Sequence, residues 1–314
     1  MNIKGLTSIK NALHTLNPAG IRELAERPLH IALFSDTPQG YSHMEGFFLQ
    51  GLSPARRQAS SAILIRDPQA VHYDLAIYDQ SVVAPPRAFV FEHARPHHLV
   101  SRILDRRPEL GVPLAKAFVP FRRPFLQRVI AKTCRENTLF SVSTALPDVV
   151  PNIMELPWAV AEFASDTAFL TMNQVRMAFL IAAASDREVG YLAQKSEIAA
   201  IIGSAFGWRA LARQLVGKIP FGGGLLAKAA VAYAGTKVLG LSLERFYSIG
   251  FTYTREERDR IYADAFRQGK KIALRILGHI RPDLAAKYIH ENMPLGSRPP
   301  AVGDLPSGAG ALAT

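Results

Sequence analysis

Residues 219–243 constrain this chain most. The segment opens with Pro220 and three glycines, Gly222, Gly223 and Gly224, and carries only two charges, Lys228 and Lys237. As a helix from Gly222 it would run about 33 Å, against a hydrocarbon core of about 30 Å. The lysines lie nine residues apart, about 7 Å either side of the midpoint, so each can reach an opposite interface. Leu225, Leu226, Val231, Tyr233 and Leu239 supply the apolar surface that would meet lipid. Ala230 and Ala234 would admit a close helix neighbour. The preceding apolar run, 198–208, is eleven residues long and ends at Arg209 and Arg213, too short to span. The expected hairpin therefore either contacts a bilayer or forms the centre of a soluble bundle, since both demand apolar residues.

The rest of the chain is basic. Its formal net charge is +11, and residues 95–132 hold nine basic side chains against Asp105 and Glu109, or +7 of that total. Such a balance suggests an anionic partner. Cys134 is the only cysteine, which excludes an intramolecular disulfide and argues against a cysteine zinc site. The first residues lack an apolar signal core, so secretion is not expected.

Four short apolar runs at 30–35, 61–66, 74–78 and 88–92 read as strands, with a helix expected over 44–51. Strands alternating with helix suggest a small parallel α/β layer. Beyond residue 97 the apolar spacing is helical, over 99–107, 125–144, 172–185, 195–216 and 225–245. Thr254 and Glu257 form a capping-box signature for a helix expected to reach about residue 278. The predicted fold class is α/β plus α, a small degenerate P-loop-like layer followed by a larger all-helical domain. Its expected parts are a helical lead-in (1–28), the layer (29–95), a basic helical connector (96–137), the helical domain (138–292) and a disordered tail (293–314).

After the first strand, Ser35-Asp-Thr-Pro-Gln-Gly40-Tyr41-Ser42 follows the spacing of a phosphate loop. Ser35 stands at the first glycine, Gly40 at the second, and Ser42 at the magnesium-binding hydroxyl. Tyr41 replaces the lysine that neutralises the β- and γ-phosphates. Asp79 ends a strand in the manner of the second, acidic nucleotide motif. GTP and magnesium thus have candidate ligands in Ser35, Gly40, Ser42 and Asp79, but the expectation is a structural layer with no bound cofactor and no hydrolysis.

A resemblance enters through three elements: 169–180 with Asn173 and Gln174, then 208–213, then the Lys-Ile-Pro-Phe-Gly-Gly-Gly run at 218–224. Together they resemble the YcjF-like bacterial domain associated with Era-like GTPases, over about residues 138–250. The resemblance implies a helical, membrane-associated module working with a GTPase-like domain, and it implies no catalytic residues. With the missing lysine, the upstream layer resembles a pseudo-GTPase.

Arg122, Arg123, Arg128 and Lys132 could form one basic face for anionic lipid headgroups. Asp166, Asn173, Gln174 and Arg176 are expected to lock helices together through polar contacts rather than to catalyse. Glu92, His93, His97 and His98 surround Pro96 and read as surface loop residues, not metal ligands. Ser141 and Ser143 have no partner His or Asp nearby in sequence. No nucleic-acid-binding module is recognisable, so nucleic acid is not an expected partner. The leading reading is a non-catalytic, GTPase-associated protein contacting the cytoplasmic face of the inner membrane. A nucleotide-binding switch and a cytoplasmic helical scaffold holding a partner protein are the alternatives.

Overall fold

The computed structural model describes residues 16–69, 72–146, 166–204 and 223–292. Chain contacts divide it into two compact units: Ala19–Arg128 with Leu180–Val189, and the remainder. The basic stretch up to Arg128 falls in the first of these units.

The first unit holds α1 (Ala19–Glu26), β1 (Ile31–Phe34), α2 (Pro38–Leu49), α3 (Pro54–Ser61), β2 (Leu64–Arg66), β3 (Leu75–Asp79), β4 (Phe89–Phe91), α4 (Pro96–Arg106) and α5 (Gly111–Ala117). The four strands form one parallel sheet in the order β2-β1-β3-β4, as the four apolar runs predict. Ile31 pairs with Leu75, Leu33 with Ile77, and Ile77 with Phe89. Alternation along the pleat therefore turns Leu33, Ile77, Asp79 and Phe91 to one face. That face is covered by α2 and α4, and the Phe47 ring lies 5.5 Å from Phe91.

Helix α2 begins six residues before the expected 44. Pro38 and Gly40 look like loop residues in sequence, but Thr37 is an N-cap whose hydroxyl accepts from the Gly40 N–H at 3.1 Å, and Pro38 suits the first helical position. Likewise, Pro96 opens α4, so His97 and His98 lie in its first turn rather than in a loop.

Helix α6 (Val119–Ser143) starts earlier than 125 because Pro124 is accommodated near its beginning. After it come α7 (Asp166–Ala184), a helical stretch at 195–204, α8 (Gly223–Ile249), α9 (Arg255–Ile280) and α10 (Pro282–Asn292). The capping box is present: Thr254 Oγ1 accepts from Glu257 N–H at 3.2 Å, and Thr254 N–H donates to the Glu257 carboxylate at 2.8 Å. Helix α9 buries Tyr262, Ala265, Phe266, Gly269, Ala273 and Leu277, a line at helical spacing, against α8. A Cβ on Gly269 would sit 3.0 Å from Ala230 Cα. The close neighbour that Ala230 permits is therefore α9. Val142, Leu226, Ala229, Ala273, Leu277 and Ala285 extend this core across α6, α8, α9 and α10.

Candidate functional site

The order β2-β1-β3-β4 reverses direction between β1 and β3. In open α/β sheets ligands bind outside the carboxyl ends of strands at such a point, and both halves of the phosphate-loop match lie there. Gly40 is what lets them approach: a Cβ at this position would meet Ser35 Oγ at 2.0 Å and Asp79 Cγ at 3.0 Å.

The cradle itself is filled from within. Only residues 35–37 separate β1 from α2, too few to wrap a phosphate chain. The Ser35 N–H donates to the Tyr41 hydroxyl at 3.2 Å, and the Thr37 N–H donates to Ser35 Oγ at 3.3 Å. Gly40 N–H goes to the Thr37 cap, and Pro38 has no N–H. Tyr41, in the lysine position, donates its hydroxyl to Asp67 and lies beneath the Arg66 guanidinium, 5.2 Å from its ring centre. Arg66 in turn is held bidentately by Glu45, at 2.6 and 2.7 Å. Burial and the Asp67 hydrogen bond both push the Tyr41 phenol above its usual range. Ser42 Oγ donates to the Pro38 carbonyl at 3.0 Å, one turn back along its own helix.

Asp79 is nearly fully buried. Burial alone would raise its carboxyl, but hydrogen bonds from Ser81 and His93 outweigh it and the net displacement is downward. Ser81 donates from Oγ at 2.6 Å and from N–H at 3.1 Å. His93 Nε2 lies 2.5 Å from the other carboxylate oxygen. On the far side of the same ring, His93 Nδ1 faces His43 Nδ1 at 3.3 Å. The site is thus an Asp79–His93–His43 chain running from the buried strand end to the surface. The N–H groups of Ser35, Thr37 and Gly40 are thus already bonded within the loop. Titration of mant-GTP or mant-ATP with magnesium is expected to give no saturable signal at high micromolar protein. A saturable rise abolished by Asp79→Asn would show instead that the cradle opens.

In the helical unit a second polar group is buried. Asn173 Nδ2 donates to Asn137 Oδ1 at 2.8 Å and to Glu136 Oε2 at 3.1 Å. Asn137 Nδ2 and Gln174 Nε2 both donate to Thr236 Oγ1, at 2.9 and 3.0 Å, and Thr236 donates to the Ala232 carbonyl at 2.8 Å. Asn173 and Gln174 therefore do bridge helices, with Glu136, Asn137 and Thr236 as partners that the sequence does not suggest. Arg176 is half-buried on α7, and the Asp166 side chain lies outside the described residues. Cys134, on α6, is fully buried, and burial pushes its thiol up to about 12, which leaves it unreactive.

Several cations of the basic region are engaged by acceptors within their own unit, although none is fully buried. Arg122 donates to the carbonyls of Ala115 and Ala184, at 3.3 and 3.1 Å. Arg128 bonds Asp105 at 2.8 Å and the Ser101 carbonyl at 3.3 Å. Arg102, Arg106 and Arg107 reach the carbonyls of Ala88, Arg87 and Asp74. Arg123 and Lys132 remain exposed, and Lys132 is 3.9 Å from Glu136. Of the four expected headgroup contacts, Arg123 and Lys132 are exposed, while Arg122 and Arg128 are half-buried and bonded to neighbouring acceptors.

On α8, Leu226, Val231 and Tyr233 are buried, and Leu225, Lys228, Lys237 and Leu239 are half-buried. Gly223 opens the helix and Gly224 is buried in its first turn, while Pro220 and Gly222 fall outside the described residues. The helix expected over 195–216 is described only as far as residue 204, and the expected tail not at all. Among the described residues no three His, Cys, Asp or Glu side chains group around a common point. No protein-family model, curated protein or solved structure matches this chain.

Proposed function

We propose that this protein is a non-catalytic helical scaffold that acts by holding a protein partner, with α8 as its interior. Two helices, Thr167–Ala184 and Gly224–Ile249, are long and apolar enough to cross a membrane. The observation that carries the scaffold reading is Thr236, midway along the second of these. It receives two side-chain hydrogen bonds, from α6 and α7, that insertion as a separate hairpin would break. Burial agrees, at 83% of the first segment and 72% of the second. Helix α9, which covers α8, carries Arg255, Glu256, Arg260, Lys270 and Lys271, a charge density that lipid would oppose. The resemblance to the YcjF-like domain makes a GTPase the first class of partner to try.

Peripheral contact with a cytoplasmic membrane face is the second reading. It is favoured by the turn between α8 and α9, where Ile249 and Phe251 are 56% and 73% exposed beside Arg255. Fractionation with separate carbonate and salt washes separates the two. The scaffold reading expects the protein outside the membrane pellet. Release by salt alone would support peripheral contact, and retention through carbonate would overturn both readings in favour of an inserted helix.

A further inference from the structure

The Asp79–His93–His43 chain has the geometry of a metal-binding pair, and this inference does not depend on the scaffold reading. We propose that His43 and His93 bind a divalent transition-metal ion through their Nδ1 atoms, with Asp79 as the outer partner that orients His93.

Three observations support it. The first is spacing. A tetrahedral ion with bonds of about 2.0–2.1 Å to imidazole nitrogen spaces two such nitrogens about 3.3 Å apart, and the two Nδ1 atoms are 3.3 Å apart. The second is the tautomer. The Asp79 carboxylate lies 2.5 Å from His93 Nε2, and an Nε2–H donated to it places the Nδ1 lone pair outward, the carboxylate–histidine–metal arrangement of many such sites. Asp79 is itself fixed by two bonds from Ser81, and the His93 backbone N–H is fixed by Gln80 Oε1 at 3.0 Å. The third is access. His43 lies on the exposed side of α2, so its ring can turn about its own side-chain bonds and open coordination positions to water.

Two imidazoles select zinc, nickel or copper over magnesium or calcium, which prefer oxygen ligands. The site is therefore chemically distinct from the magnesium position of a nucleotide loop, although it shares Asp79 with that match. A bound ion would fasten α2 to the segment after β4.

Calorimetric titration of the full-length, tag-free protein with zinc chloride tests this, with magnesium chloride as control. One equivalent of zinc is expected to bind, raising the melting temperature, and magnesium is expected to give neither effect. His43→Gln and His93→Gln should each abolish the binding and the thermal shift. Asp79→Asn should weaken binding about 10–100-fold, as loss of an outer-shell carboxylate typically does. His97→Gln should leave both readouts unchanged. Absence of zinc binding, or full binding by a folded His43→Gln protein, would overturn the proposal. Because His43 is exposed, that variant keeps the test decisive even if His93→Gln fails to fold.

Discussion

Thr236→Val is expected to destabilise the helical unit by about 2–6 kcal/mol, because it leaves two buried amide donors without an acceptor at about 1–3 kcal/mol each. The substitution preserves shape, so little of the loss is cavity formation. Thr236 Oγ1 is the acceptor for both Asn137 and Gln174, and both amides lie in the bundle interior: Asn137 is fully buried and Gln174 is 5% exposed. Thr236→Ser keeps the hydroxyl and should cost only about 1 kcal/mol for the lost methyl. Cys134 gives a local readout. It lies in the same unit and is fully buried, so its labelling by a thiol reagent under native conditions measures opening of that unit alone. Labelling should accelerate strongly in Thr236→Val and weakly in Thr236→Ser. Equal rates in the two variants would show that the hydroxyl is not the keystone of this network.

The second large effect concerns two glycines of one helix, with opposite signs. Replacing a mid-helix glycine by alanine ordinarily gains up to about 1 kcal/mol. At Gly278 the new Cβ would meet only Ala285 Cβ at 3.8 Å, an ordinary contact, so Gly278→Ala should stabilise. At Gly269 it would lie 2.9 Å from Tyr233 Cβ, 3.0 Å from Ala230 Cα and 3.1 Å from the Ala230 carbonyl oxygen. Backbone cannot rotate aside, so α8 and α9 must separate, and overpacking of this kind costs about 1–3 kcal/mol. Gly269→Ala should therefore lower the urea midpoint while Gly278→Ala raises it. A stabilised Gly269→Ala would mean the two helices are not in close contact.

The strands were legible because each is a bounded apolar run, and the capping box because its two residues are three apart. The start of α2 was hidden by Pro38 and Gly40, which serve a helix beginning as readily as a loop. The polar bridge was half legible. Asn173 and Gln174 stand out in an apolar stretch, but Thr236 is unremarkable in sequence and its partner Asn137 is 99 residues away. His43 was missed for the same reason, being 50 residues from His93 with nothing local to mark it. The carbonyl acceptors of Arg102, Arg106, Arg107 and Arg122 leave no trace in composition. The phosphate-loop spacing points to the strand edge that holds Asp79, whereas the local chemistry depends on where the Tyr41 hydroxyl turns, and that is settled only in three dimensions.

The sheet unit is discontinuous in sequence, and this sets the order in which it can be finished. Its last piece, Leu180–Val189, carries the Ala184 carbonyl that accepts from Arg122 and the Asp186 carboxylate that pairs with Arg56. On the ribosome, residues 19–128 emerge first and then wait for about 60 more residues, or roughly 3–12 s at ordinary elongation rates, before those acceptors exist. During that interval Arg56 and Arg122 lack them. A gene fragment ending at residue 128 would make that waiting state permanent, so an expression boundary drawn after Val189 is the earliest that supplies every piece of the unit.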